Sequence, residues 1–345
     1  MTKKRITSFD VAEKSGVSRT TVSLVLNNIS DIRISPETRQ RVLDVARELG
    51  YHPDSAGRKL ASGRSNTIGL VLRQSREQVF ADSLLPKVAM GVNQAAEESG
   101  FQVLLKALEP ENIDGYVRLI QENHVDGIII SGPQQDDLEI VNLYREGFPI
   151  VLMGQLPGSN LPVVDIDAIS GSKIAVKHLI DNGHSNIGMI TNASLKYTSA
   201  QQRYAGYLQA LAEAGIAEDS RLLLEGNYTP TSGYLAMKKL LEKKPLVTAV
   251  FIASDVVAKG AMQAIKESGL RIPEDVSVVG FDDIPLADFF DPPLTTIRIP
   301  SYQLGWVAGN NLIQLVKGNE LKQNQVFLDS ELIIRNSSSF RKNDL

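Results

Sequence analysis

At 345 residues, 43% hydrophobic and 22% charged, the chain is too long for one ordinary core, and two or three domains are expected. No uncharged apolar run is long enough to span a bilayer, and MTKKRITSFD lacks the apolar core of a signal peptide; a cytoplasmic location fits. The complete lack of cysteine excludes disulfides and thiolate metal sites, while the net charge of −4 divides unevenly: residues 1–65 carry 12 Lys and Arg against 7 Asp and Glu.

A small basic head on a larger acidic body points to a polyanion met by the head alone. Within the head, SFDVAEKSGVSRTTVSLVLNN reads as two short helices around a tight turn. Ser8 is the expected N-cap of the first, with Val11 and Ala12 inward, and Gly16 suits a positive φ at the turn. Ser18 is expected to cap the second helix, whose inward stripe is Val22, Val25 and Leu26. Ala12, Gly16 and Val22 have the spacing of a helix-turn-helix, where a small residue, a turn and a packed apolar residue are required. A third helix follows in ISPETRQRVLDVARELGYHPD, with Ser35 as cap, Pro36 at the first position and Gly50 at the end. The front of the second helix would enter a DNA major groove. Arg19 and Thr20 would meet base edges, and Ser8, Ser18 and Ser23 would bond phosphates.

The stretch DSAGRKLASGRSN, Asp54 to Asn66, has Ala56, Leu60 and Ala61 on one helical face, and Gly57 makes such a helix marginal alone. It reads either as a linker or as a segment that folds on DNA, with Leu60 wedged between base pairs in the minor groove. The residues DVAEKSGVSRTTVSLVLN, ISPETRQRVLDVARELGYHPD and AGRKLASGRSNTIGLVL together resemble the LacI/GalR family of bacterial transcription regulators, over essentially the full chain. The resemblance implies that Leu60 is the hinge-helix leucine and that Arg19 and Thr20 are the variable base-reading pair. Thr7, Asn27 and Ser35 complete the DNA-facing set. Two departures stand out: NNISDIRIS is about two residues longer than usual, and Leu24 occupies a place where some relatives carry a base-contacting Arg.

From Thr67 onward, apolar runs alternate with amphipathic stretches. TIGLVL, FQVLLKA, DGIIIS and PIVLMG form one series, and NIGMIT, AVFIAS and VSVVGFD a second. Helices are expected over Lys87–Ser99, Gly171–Asn182, Gln202–Ala214, Ser232–Lys243 and Val256–Ser268. Continuous β-branched runs between helices argue for parallel sheets covered on both faces. The expected fold is therefore α/β: a three-helix head plus two doubly wound parallel-sheet subdomains of periplasmic-binding-protein type. Its parts are a DNA-binding domain at 1–50, a hinge at 51–65 and an effector-binding domain at 66–345. The N-subdomain takes about 66–164 and 296–325, and the C-subdomain about 165–295 and 326–345. The resemblance implies that the chain recrosses near PPLTTIRIP and before LDSELIIRNS, leaving a cleft between the lobes.

Ligands of open α/β sheets bind beyond the carboxyl ends of the strands. There lie Arg73 and Gln74, Ser131, Ser254 with Asp255, and Asp282 with Asp283; Arg203 stands on the helix after NIGMIT. Asp255 and Asp283 are expected mainly as helix caps. The resemblance matches Arg203 and Asp282 to effector-binding positions, puts Ser131 and Ser254 where relatives often carry Asn, and puts Arg73 where polar ligand contacts are usual. Charged and hydroxyl groups together suit a polyol or sugar. Phe80, Leu84 and Leu85 are expected to wall the cleft, the two leucines standing where relatives often have paired aromatics.

No P-loop, G-x-G-x-x-G, H-E-x-x-H or G-x-S-x-G is present, so no enzyme, cofactor or metal is expected. The expected function is a one-component regulator, a repressor released from a palindromic operator by a small sugar-like effector. Reading two half-sites requires at least a homodimer, with pairing into tetramers left open, and no membrane partner is expected. A solute-binding protein of a sugar transport system would suit the body alone. The basic head and the lack of a signal peptide count against it.

Overall fold

The computed structural model describes residues 6–26, 34–51, 65–109, 115–122, 124–243 and 246–341; the candidate DNA contacts Asn27 and Leu60 lie outside these. The chain divides into two compact units, Met1–Ser65 and Asn66–Leu345.

The head consists of α1 (Ser8–Ser15), α2 (Arg19–Leu26) and α3 (Pro36–Leu49). Its core is small: Val11 and Ala12 from α1, Val22 and Val25 from α2, and Val42 and Ala46 from α3, ringed by Leu43, Val45 and Leu49. Helices this short owe most of their persistence to this shared apolar contact. The cap of α1 is Thr7 rather than Ser8, which becomes the first helical residue. The reason is spacing: Asp10 stands three residues after Thr7 and accepts from both its backbone N (2.7 Å) and its hydroxyl (2.6 Å). Gly16 takes φ 66° at the turn. Ser18 and Ser35 cap as expected, with Oγ accepting from Thr21 N at 3.0 Å and Thr38 N at 3.2 Å. Arg41 Nε donates to Ser15 O at 3.0 Å, tying α3 to the end of α1.

The second unit holds two six-stranded sheets, with strands numbered in chain order. The first runs β11 (Gln325–Leu328), β5 (Val163–Ile166), β4 (Ile150–Met153), β3 (Gly127–Ser131), β1 (Thr67–Leu72), β2 (Gln102–Ala107), all parallel. The second runs β12 (Glu331–Ile333), β10 (Thr295–Arg298), β9 (Ser277–Asp282), β8 (Ala249–Ile252), β6 (Ile187–Ile190), β7 (Leu223–Leu224). Only β12 in it is antiparallel to its neighbour. The central strands are apolar on both faces because helices cover both. The helices are α4 (Arg76–Ala81), α5 (Leu85–Glu98), α6 (Gly115–Gln121), α7 (Leu138–Arg145), α8 (Ala168–Asp181), α9 (Thr198–Glu213), α10 (Pro230–Leu241), α11 (Asp255–Glu267) and α12 (Ser301–Val316).

Three crossings join the lobes: after β5, between β10 and α12, and between β11 and β12. The joins expected after residues 164, 295 and 325 fall inside strands. Ile166 pairs with Leu328 in the first sheet, and Arg298 pairs with Asp282 in the second. Strand ends are set by such distant neighbours, which local patterning does not contain. The five expected helices begin upstream of the residues named for them, and in two of these the first turn rests on a side-chain cap rather than on an apolar stripe. Asp167 Oδ1 accepts from Ser170 N at 2.9 Å, and Thr229 Oγ1 accepts from Ser232 N at 3.2 Å.

Glycine lets the covering helices approach backbone to backbone. A Cβ on Gly233 of α10 would collide with the Val257 carbonyl of α11, and one on Gly260 of α11 with the Pro230 carbonyl. Gly91 and Gly305 interlock α5 with α12 in the same way. Gly260→Ala should therefore destabilise the protein by about 1–3 kcal/mol, despite a helix-propensity gain of about 1 kcal/mol. A urea unfolding midpoint at or above that of the parent would show that these helices separate freely.

Candidate functional site

In the head, the start of α2 leaves Ser18, Arg19, Thr20 and Ser23 exposed while Val22 and Val25 are buried. The turn residues fix this geometry: Gly16 redirects the chain, and Ser18 caps the helix it begins. A helix N-terminus carries partial positive charge and free N–H groups, so it favours phosphate oxygens. Beside it, Arg19 presents a planar fork that fits a guanine edge. Thr7 and Ser35, at the starts of α1 and α3, are exposed, and Ser8 is half-buried.

In the second unit the carboxyl ends of both sheets border one cavity of about 140 Å³, sized for a small molecule rather than a polymer. Gln74, Ser131, Arg203, Ser254 and Asp282 all line it. Register explains the convergence: Leu72 pairs with Ser131, which places Gln74 and Ser131 at adjacent strand ends. Leu84 and Leu85 form part of the apolar wall as expected, whereas Phe80 points outward, 80% exposed.

Arg203 anchors the second lobe's side. Its Nη1 donates to the Ala253 carbonyl, its Nη2 donates to Asp282 Oδ1 at 3.1 Å, and its guanidinium carbon stands 4.0 Å from the centre of the Phe281 ring. Nε is buried without a hydrogen-bond partner. Asp282 has φ 116°, in the left-handed half of backbone space that a non-glycine residue seldom visits, so local strain is stored beside the cavity. Burial pushes its carboxyl up to about 6, against the opposing pull of Arg203.

Arg73 does not line the cavity. Its guanidinium is buried in an ion pair with Asp137, whose other oxygen accepts from Gln134 N at 2.8 Å. This pair shapes the loop ahead of α7, which meets the other lobe: Gln134 forms an antiparallel bridge with Tyr197, and Tyr197 OH donates to the Arg73 carbonyl at 2.8 Å. Gln78 Nε2 donates to Asn227 Oδ1 at 2.7 Å as a second link between lobes.

Asp255 and Asp283, expected as helix caps, serve otherwise. Asp255 is fully buried and accepts from Thr296 Oγ1 at 2.6 Å and Ile284 N at 3.0 Å, which ties β10 and the loop after β9 to the start of α11. Desolvation, reinforced by neighbouring Asp282, drives its carboxyl well above the usual range. Asp283 instead pairs with Arg298 at 2.7 Å and Arg335 at 2.8 Å.

Sequence reasoning passed over Asp82, Asp165, Asn192, Ser199 and Tyr228, all of which line the cavity. Asn192 was within reach, because it follows the strand NIGMIT and the carboxyl-end rule applies to it equally. Asp165 is the lone charge in the strand VVDI, which is itself a signal. Asp82 and Tyr228 lie on connecting segments that only the tertiary structure brings in.

Residues 9–54 match the family model described as bacterial regulatory proteins, lacI family, and residues 176–338 match a periplasmic binding protein-like domain. The chain is similar to the HTH-type transcriptional regulator CelR of Thermobifida fusca, 35% identical over 342 residues, covering 97% of this chain and 99% of that protein. It is also similar to the HTH-type transcriptional repressor PurR of Haemophilus influenzae, 34% identical over 335 residues, covering 95% and 97%. Among solved structures, the lac repressor dimer bound to operator and the anti-inducer ONPF matches with a TM-score of 0.85 at 30% identity, over 97% of this chain and 100% of that one. A CelR–cellobiose complex matches with a TM-score of 0.75 at 34% identity, over 96% and 100%. Its head, its paired lobes and its full-length likeness to these regulators place this chain in the LacI family of bacterial regulatory proteins, as a ligand-responsive, DNA-binding transcription regulator.

Proposed function

We propose that this regulator is a repressor that binds a palindromic operator as a homodimer and is released by a small sugar-like effector held between its lobes. The carrying observation is the convergence of Gln74, Ser131, Arg203, Ser254 and Asp282 on one cavity at the carboxyl ends of both sheets. A relative solved with cellobiose and another solved as an operator-bound dimer support the ligand class and the assembly.

Effector control requires that ligand favour one arrangement of the lobes. The polar links between them, Gln78 to Asn227 and Gln134 to Tyr197, are of a kind that breaks and re-forms at modest cost. Emptying a nearly full operator requires a difference in ligand affinity between the two arrangements of roughly 10⁴-fold. Arg203 supplies part of it. Two of its five N–H donors are committed to Ala253 and Asp282, which hold the guanidinium in place while the others remain for ligand oxygens.

In the head, Ser18, Ser23, Thr7, Ser8 and Ser35 position the protein on phosphates, while Arg19 and Thr20 read bases. If six or more phosphates are neutralised, log affinity for operator should fall with log salt at a slope of roughly −5 or steeper. A flat response would remove the phosphate-binding role. Arg19→Ala should cost about 1–3 kcal/mol and relax discrimination at one base position. Equal weakening on every sequence, read by fluorescence anisotropy on a set of mutated operators, would make Arg19 a phosphate contact instead.

Arg203→Ala should stay on operator at effector concentrations that release the parent, raising the concentration for half-release at least about tenfold, since a charge-assisted hydrogen bond contributes about 1.5–3 kcal/mol. Release at the parent's effector concentration would take Arg203 out of the site.

A further inference from the structure

The charges around the cavity do not balance. Asp82, Asp165 and Asp282 line it, and among the described lining residues Arg203 is the one cation. Arg203 is ion-paired to Asp282, and its weaker pull on Asp82 and Asp165 is outweighed by burial, which raises both carboxyls. Asp82 and Asp165 remain, both on the first lobe's side and both half-buried, open to the cavity but otherwise enclosed by protein. Neither has an ion-pair partner among the described residues. Asp82 Oδ1 accepts from Leu84 N at 2.8 Å, and Asp165 Oδ2 accepts from the neutral amide of Gln155 at 3.4 Å. Hydrogen bonds to neutral donors do not cancel charge, and a ligand that expels water from these carboxylates leaves them exposed to that cost.

A second feature points the same way. Gln74 is 6% exposed and Asn192 2%, both line the cavity, and Gln74 Oε1 and Asn192 Oδ1 have no hydrogen-bond partner. The Asn192 amide nitrogen is already directed to Ser199 and Tyr228, each at 3.3 Å, which leaves its oxygen as the group offered to a ligand. Two orphan acceptors and two carboxylates that have no ion-pair contact among the described residues make a wall that calls for donors and positive charge. An ammonium group has three N–H donors and no acceptor. Leu84, Leu85, Val88 and Ile299 form an apolar face that suits the C–H side of a sugar ring.

We infer that the effector is a cationic polyol of the amino-sugar class, its ammonium recognised by Asp82 and Asp165 and its hydroxyls by Gln74, Asn192 and Arg203. This deepens the reading of the cleft as the effector site and rests on it. The test uses the full-length protein and three matched pairs, glucosamine with glucose, galactosamine with galactose and mannosamine with mannose, at a pH where the amines are protonated. Thermal stabilisation and operator release by fluorescence anisotropy are read for each. At least one amine should act at a concentration about tenfold or more below its parent sugar, the scale of one charge-assisted contact. Asp82→Asn and Asp165→Asn, which keep side-chain shape, should bring that ratio towards one. A parent sugar acting as well as its amine, silence of all three amines, or a preference that survives both substitutions overturns the assignment. Operator release by a neutral sugar at or below the concentration its amine requires leaves the regulatory reading intact while removing the charge assignment. Stabilisation by an amine with no change in operator occupancy upholds the charge assignment and removes the effector role.

Discussion

A guanidinium held inside a protein must recover the hydration it gives up, and the second lobe is arranged around doing so for Arg203. Its three partners come from two separated segments: the carbonyl of Ala253 after β8, and the carboxylate of Asp282 with the ring of Phe281 beside it at the end of β9. None can be supplied until β8 and β9 are paired and α9 is laid across them. The unusual backbone of Asp282, φ 116°, is tolerated because that pairing holds it. Asp255, clamped by Thr296 and Ile284, fastens the next strand and loop into the same arrangement. The cavity wall is thus a consequence of sheet assembly, and the cation that lines it is the one whose burial the assembly compensates.

The first lobe uses the same device for another purpose. Arg73 with Asp137 is also a buried cation with one carboxylate, yet it shapes the loop that meets Tyr197 rather than the cavity. One lobe spends its buried pair on the ligand wall, the other on the contact between lobes. That contact includes polar links, unlike the glycine-interlocked helices within each lobe, where backbones touch directly. Lobes that are each tightly packed and linked to one another by polar contacts are the kind that can move as bodies in the proposed mechanism.

The head has no such elaboration. Its six buried apolar residues among those described are small, its helices short, and their starts are held by Thr7 with Asp10, Ser18 and Ser35. Small side chains bring the helices close and turn the start of α2 outward, so the exposed Arg19 and Thr20 are presented by packing rather than by contacts of their own.

Much of this was legible in the sequence because it is local. Ser35 before Pro36, Gly16 after Ser15, and β-branched runs such as GIIIS each specify their structure through neighbours within a few residues. The membership of Gln74, Ser131, Ser254 and Asp282 in one cavity followed from a topological rule about strand ends, and that of Arg203 from the family resemblance. Where the reading failed, the deciding partner was distant. Arg73 follows a strand end and Arg203 stands on a helix, yet neither position says where the guanidinium goes; Asp137, 64 residues on, takes the first out of the cavity, and Asp282, 79 residues on, holds the second in it. Asp255 and Asp283 looked like caps because each precedes a helix or turn, until Thr296 and Arg335 claimed them. The sequence by itself determined the elements, their order and the family; the tertiary structure decided which charges face the ligand, since a buried charge goes wherever the fold brings its counter-charge.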